Sequence, residues 1–262
     1  MRVRRLRGRA LEKVWGSPET EPWYPRPARS IGEIWFTAPE EPRLLLKFLF
    51  TSGKLSVQVH PGDSAAGPGK TEMWHVLRAQ PGARLALGFQ RPLALERVRA
   101  AALSGEIEAL LRWYAPRAGD TFFVPAGTVH AIGAGLALCE IQQHSDVTFR
   151  LYDYGRPRGL HLDEALAVAD LGCHPGPRTP VDLGGGRRLL VECPCFRTES
   201  IEVTSDSPCS AGPGPEFLIC LEGQGQCDGE PYAPGEVRVV PAGTAFAIQP
   251  RVGSRFLRTL VP

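Results

Sequence analysis

The chain has 262 residues, a formal net charge of +2, 43% hydrophobic and 22% charged residues. That balance excludes a disordered chain and gives no charge argument for nucleic-acid or membrane-surface binding. It leaves room for one large or two small hydrophobic cores. No stretch approaches the roughly 18 apolar residues that a membrane span needs.

The N-terminus, MRVRRLRGRA, carries five arginines but no apolar run behind them, so it is not a secretory signal and reads as a frayed basic tail. Strand-like segments follow at EIWFTA (33–38), RLLLKFLF (43–50), LSVQVH (55–60), EMWHVLRA (72–79) and RLALGF (84–89). Residues 93–114, LALERVRAAALSGEIEALLRWY, have helical spacing with a break near Ser104-Gly105. Strands resume at DTFFVP (120–125) and LALCEIQQ (136–143), and a short helix is expected at HLDEALAVADL (161–171). The 29 glycines and 25 prolines punctuate these runs, an all-β pattern with small helical additions. Only four of the 30 basic residues are lysines: Lys13, Lys47, Lys54 and Lys70.

An internal repeat shapes the fold expectation. AGDTFFVPAGTVHAI (118–132) aligns with PGEVRVVPAGTAFAI (234–248) at eight of fifteen positions, and EMWHVLRAQ (72–80) more weakly with EFLICLEGQ (216–224). Two tandem β units are expected: a catalytic metal-binding unit over 11–173 and a degenerate second unit over 187–262. The Gly/Pro-rich stretch 174–186 joins them. Within the shared P-A-G-T turn, Pro125 ends a strand and Gly127 supplies a permissive φ. The next strand starts at His130, whose counterpart in the second copy is Phe246. The copies therefore share a scaffold and differ at one residue that could bind metal.

In LSVQVHPGD (55–63), Gln58 and His60 lie two apart and share one face of a strand. With Glu72 and His130 they form a mixed N/O donor set suited to Zn²⁺, Fe²⁺, Mn²⁺ or Ni²⁺. His75 falls on the opposite face from Glu72 by parity; His144, His161 and His174 are read as non-ligands. Seven cysteines, an odd number spread over 139–227, indicate reduced thiols in a cytoplasm. CPC (193–195) and CHP (173–175) fit no zinc spacing.

KVWG (13–16), IGEIW (31–35), LLLKFLF (44–50), LSVQVHPGD (55–63), GKTEMWHVL (69–77), GDTFFVPAGTVHAIG (119–133) and EIQQHSDVTFRLYDYGR (140–156) occur in this order. Together they resemble the type I mannose-6-phosphate isomerases, zinc enzymes of the cupin superfamily. The resemblance implies two tandem cupin-like jelly-roll units. It implies one Zn²⁺ per chain on Gln58, His60, Glu72 and His130, with Arg150 as the catalytic arginine. Ser56 and Lys70 match substrate-lining positions, Lys47 and Glu140 match positions near the metal, and Arg156 stands where some members place a phosphate-binding lysine. Longer members carry a large helical insertion of which only 93–114 remains, so a more open site is expected.

The implied reaction interconverts mannose 6-phosphate and fructose 6-phosphate through an enediol(ate). A Lewis-acidic metal polarises the carbonyl oxygen and a base shuttles the proton. Glu140 and a zinc-bound hydroxide are the candidate bases, and Tyr152, Asp153 and Tyr154 are expected to pack or support. No hydride leaves, in keeping with the lack of a dinucleotide fingerprint; GGGRR (184–188) has the wrong spacing. The alternatives are a metal cupin acting on unphosphorylated sugars and a non-catalytic phosphosugar-binding cupin. The expected partner is a small sugar phosphate, without nucleic acid or membrane, on a cytoplasmic monomer or homodimer.

Overall fold

The computed structural model describes residues 2–65 and 67–262. Its first half runs β1 (Arg4–Arg5), β2 (Arg9–Ser17), β3 (Ile31–Phe36), β4 (Leu44–Phe50), β5 (Val57–Val59), β6 (Glu72–Ala79) and β7 (Leu85–Phe89). Helices α1 (Leu95–Ser104) and α2 (Ile107–Leu110) follow, then β8 (Leu111–Tyr114), β9 (Thr121–Val124), β10 (His130–Ile132), β11 (Leu136–Gln143), β12 (Phe149–Tyr152) and helix α3 (Leu162–Val168). The second half is strand only: β13 (Val181–Gly184), β14 (Arg187–Glu192), β15 (Arg197–Val203), β16 (Ser207–Ser210), β17 (Glu216–Cys227), β18 (Glu230–Tyr232), β19 (Val237–Val240) and β20 (Ala245–Leu260).

Two antiparallel sheets make the first unit, in the orders β2-β3-β4-β11-β6-β9 and β12-β5-β10-β7-β8. Trp15, Leu49, Trp74, Val76, Leu85, Leu87, Phe122 and Leu138 fill the space between them. The outer face of the five-stranded sheet is also buried. Val57, Val59 and Ala86 there meet Val98, Ala101 and Ala102 of α1 and Ala165 and Leu166 of α3.

On the six-stranded sheet, Leu44, Leu46, Phe48 and Phe50 point away from that interior. They pack with Met73, Cys139 and Ile141 against Phe196, Phe217, Ile219, Val237 and Leu257 of the second unit. Strand β4 is thus buried on both faces, which is why RLLLKFLF reads as a continuous apolar run with one lysine. Parity turns Lys47 inward, opposite in phase to those four residues.

The second unit is a nine-stranded sheet following β1-β19-β17-β20-β15-β14-β13, with β16 on β20 and β18 on β17. Its register repeats that of the first. Glu72 lies opposite Val124, and Glu216 opposite Val240, in each case the valine that opens V-P-A-G-T.

Several expectations change. The basic N-terminus is no frayed tail: Arg4 and Arg5 pair with Val239 and Arg238, and Val3 and Leu6 are buried. The helical stretch ends early. Gly105, at φ 84, caps α1 in the left-handed region, and Leu111–Tyr114 is a strand on β7. Pairing there overrides the helical spacing of the segment. The stretch 174–186 is not all linker, because Val181–Gly184 pairs with β14 as an exposed edge strand. The strand expected over 55–60 is paired only at Val57–Val59, and the helix expected over 161–171 spans Leu162–Val168.

Candidate metal centre and the cavity above it

Three neighbouring strands bring one row of polar side chains together. His130 on β10 lies opposite Gln58 on β5, and Gln58 lies opposite Arg150 on β12. Residues directly opposite in an antiparallel pair project to the same side. Here that side is the interior, while Val57 and Val59 take the helix-covered face. Gln58 and His60 share a face because it is the inner wall of the sandwich.

From the other sheet comes Glu72. His60, Glu72 and His130 are all buried, each with a ligand-capable atom within 4.8 Å of the others. His130 Nε2 is 3.6 Å from Glu72 Oε1, and His60 Nε2 is 3.9 Å from Glu72 Oε2. Both imidazoles turn the other nitrogen to the backbone: His60 Nδ1 meets the Val147 carbonyl at 2.8 Å and His130 Nδ1 the Thr128 carbonyl at 2.9 Å. A carbonyl only accepts, so Nδ1 carries the proton and Nε2 turns its lone pair to the cluster, where Lys70 Nζ meets that of His60 at 3.1 Å and Gln58 Nε2 that of His130 at 3.2 Å.

The turn before His130 depends on Gly127, at φ 88. Its N–H donates to the His60 carbonyl at 2.8 Å, so the same turn ties His60 to His130. A Cβ there would also lie 3.0 Å from the Val168 carbonyl.

Charge within the cluster is incompletely balanced. Glu72 Oε2 is buried without a hydrogen-bond partner. Burial, with the charge of Glu140, pushes the Glu72 carboxyl up to about 8. Burial holds His130 down to about 4 and His60 well below its ordinary value, so both stay neutral at pH 7. A buried carboxylate without a partner is costly. A divalent cation at the Nε2 atoms and Glu72 would offset that cost, and two imidazoles, a carboxylate and the Gln58 amide are ordinary donors for zinc. The residues fit such an ion. Lys70 Nζ, 3.1 Å from His60 Nε2 and 3.6 Å from Glu72 Oε2, supplies the cationic charge at this point. Gly69 lets Lys70 enter: a Cβ on it would sit 2.6 Å from the Asp63 nitrogen.

A cavity of about 110 Å³ opens beside the cluster, lined by Lys13, Trp15, Glu33, Leu55, Ser56, Gln58, Lys70, Thr148, Arg150 and Arg158. Ser56 Oγ donates to Gln58 Oε1 at 3.0 Å. Arg150 Nε is buried with no partner. Lys47 and Glu140 form a buried ion pair at 2.9 Å, and neither lines the cavity. Burial opposes the charge on both. Glu140 holds Lys47 above its ordinary value, while Lys47 and Lys70 hold Glu140 below its own.

The structure therefore gathers Ser56, Gln58, His60, Lys70, Glu72, His130 and Arg150, with Lys47 and Glu140 beneath. It does not bring Arg156 to the cavity. Arg156 Nη2 sits 2.6 Å from Asp153 Oδ1, and the guanidinium lies over the Tyr154 ring. Arg158, held to Asp153 by two hydrogen bonds of 2.6 and 2.7 Å, lines the wall instead. Lys13 and Glu33, paired at 2.9 Å, were also missed as site residues. Glu33 stands out in IGEIWF as the one charge in an apolar strand, whereas Lys13, beside Glu12 in RALEKVWGS, does not. His75 faces away from the cluster and bonds Thr121 Oγ1 at 2.9 Å.

Fold and site together define an all-β, cupin-like protein of two related units, with a buried His/Glu/His cluster in the first. Over 198 residues, 70% of this chain and 62% of that one, it is 37% identical to the mannose-6-phosphate isomerase of Streptococcus mutans serotype c. The chain thus spans less than two thirds of that relative. It is 34% identical to mannose-6-phosphate isomerase ManA of Bacillus subtilis over 76% of this chain and 69% of that one. The crystal structure of the Bacillus subtilis mannose 6-phosphate isomerase superposes with a TM-score of 0.87 at 24% identity, covering 98% of this chain and 99% of the other. No protein-family model matches the chain. The chain belongs to the mannose-6-phosphate isomerase family.

Proposed function

We propose that the protein interconverts mannose 6-phosphate and fructose 6-phosphate with one zinc ion held by Gln58, His60, Glu72 and His130. The observation that carries this reading is the buried cluster in which two imidazole Nε2 atoms converge on Glu72, opening on a cavity with four cationic side chains. When bound, zinc would supply Lewis acidity toward a carbonyl oxygen. Gln58 would turn its amide to present Oε1, since its Nε2 now lies 3.2 Å from His130 Nε2.

The remaining roles belong to the chain itself. Isomerisation removes a proton from one of two adjacent carbons and returns it to the other while negative charge builds on oxygen. Arg150 and Lys70 face that charge as hydrogen-bond donors, which stabilises it most strongly in a water-poor pocket. Arg158 and Lys13, across the same cavity, bind the phosphate. Glu140, ionised against Lys47, is a positioning residue in this reading, because Lys47 occupies it. Glu33, paired with Lys13, is the carboxylate on the cavity wall and Lys70 the amine, and these are the chain's own groups on that wall placed to carry the proton. Residues 11–173 supply the chemistry and 187–262 bury the back of its six-stranded sheet. No helix of the described residues is long and apolar enough to cross a membrane, and all seven cysteines are free thiols, in keeping with a cytoplasmic enzyme.

The test is a coupled assay of fructose 6-phosphate formation on purified protein with bound zinc quantified, with His130→Ala beside it. Zinc-dependent turnover of mannose 6-phosphate, absent in the variant, is expected. A folded, zinc-loaded wild type that turns over mannose alone, or nothing, overturns the reading.

A further inference from the structure

The register of the two units relates several ionisable residues around the first pocket to counterparts in the second. Glu140 lies opposite Trp74 and Lys47; Arg258 lies opposite Leu218 and Glu199. Since Glu72 corresponds to Glu216, Arg258 stands where the first unit has Glu140, and Glu199 where it has Lys47. One strand further out, Glu33 is opposite Leu49 and Arg187 opposite Ile201, each pair two residues along from the Lys47 and Glu199 positions. Arg187 therefore takes the place of Glu33. Three ionisable positions are occupied in both copies, each with its charge reversed.

This reversal changes what the pocket can hold. Glu216, counterpart of the proposed ligand Glu72, is neutralised by Arg258 at 2.6 Å. Phe246 replaces His130 and packs in the apolar core. Among the described residues no metal-capable cluster remains there, but space does: a cavity of about 230 Å³ lined by Arg187, Arg197, Glu199, Arg258 and Leu260. Three guanidiniums and one carboxylate face it, with Glu216 buried beneath and the exposed Glu192 outside. Arg187 donates Nε and Nη2 to Glu199, and Arg258 donates Nε to Glu216 and Nη2 to the Ser210 carbonyl. Among the described residues, Nη1 of both arginines has no protein partner. Glu199 is 8% exposed and shared between Arg187 and Arg197, so it fixes both guanidiniums in place without reaching Nη1 of Arg187, while Arg197 Nη1 is held by Glu192 at 2.6 Å.

We propose that this charge-reversed cavity is a second ligand site, binding inorganic phosphate or the phosphate group of a small molecule. The two Nη1 groups left over, on guanidiniums already fixed in place, are charged donors suited to an oxyanion. Holding them on strands, with carboxylates already orienting them, lowers the ordering cost of binding. The inference stands apart from the isomerase reading.

Its test is a titration of the full-length, zinc-loaded protein with inorganic phosphate at constant ionic strength, following backbone amide chemical shifts. Saturable shifts at residues 187, 197–199 and 258–260 are expected. Loss of one guanidinium in Arg187→Gln or Arg197→Gln should weaken them at least about tenfold. Arg150→Gln, which alters only the first cavity, should leave them unchanged. Arg187 is half exposed, so its variant keeps the fold, which the same spectra report. Linear, unsaturated shifts at these residues, or a saturable response that Arg150→Gln abolishes and both second-unit variants retain, overturns the proposal.

Discussion

His75 shows how burial alone writes a pH dependence. Its imidazole is 4% exposed and pushed down to about 4 by burial, with a smaller push from Arg255. The unfolded chain takes up this proton near 6.5, the folded chain near 4. Stability should therefore be full above about pH 6.5 and fall as the pH drops toward 4, by about 3 kcal/mol from this group. His75→Gln should remove that share of the acid loss, read as a flatter difference in denaturant midpoint between pH 7 and pH 4. The arginines give a second contrast. Arg158→Gln should cut kcat/KM for mannose 6-phosphate by roughly 10- to 100-fold, from the loss of a charge-assisted contact. Arg156→Gln, over Tyr154 and off the cavity, should change it by less than about threefold. At this scale the sequence was half legible. Gln58 and His60 could be placed on one face from the period of two, and His130 stood out against Phe246. Arg158 could not be separated from Arg156, since the choice depends on how the segment around Asp153 folds over the mouth.

Gly127 carries the clearest consequence among the elements. Gly127→Ala would put a side chain at φ 88 and a Cβ 3.0 Å from the Val168 carbonyl. A cost of about 1–3 kcal/mol is expected, with lower zinc retention, because this turn holds His60 to His130. Thermal melts and metal content after dialysis would check both. Strands β6 and β11 were readable over their full lengths because their residues alternate between two buried surfaces. The boundary at Leu111 was not. Periodicity continues through Arg112-Trp113-Tyr114, and only the neighbour β7, far away in sequence, decides that they extend. Val181–Gly184 was hidden in the same way inside a Gly/Pro-rich run.

For the molecule as a whole, the apolar layer between the units is decisive. Phe36, Phe48, Phe50 and Trp23 bury one side of the six-stranded sheet against the second unit. A chain ending at residue 173 would leave this aromatic face bare, and exposed apolar patches of that kind aggregate. It should elute as oligomers or precipitate, while the full chain gives a single sharp species on size-exclusion chromatography. Duplication was legible from V-P-A-G-T and its echo. The two-residue pairing of Arg4 and Arg5 with β19 was not, since nothing local marks so short a strand.

The Arg258–Glu216 pair has one more consequence. In the first unit Lys70 stands 3.6 Å from Glu72 and a bound ion that is free to leave would complete the balance, whereas in the second Arg258 alone closes it at 2.6 Å. Chelation or zinc scarcity should therefore loosen the first pocket and leave the second sheet, and the aromatic layer it supports, in place. A protein stripped of its metal would keep a half-molecule template on which the pocket can re-form when the ion returns.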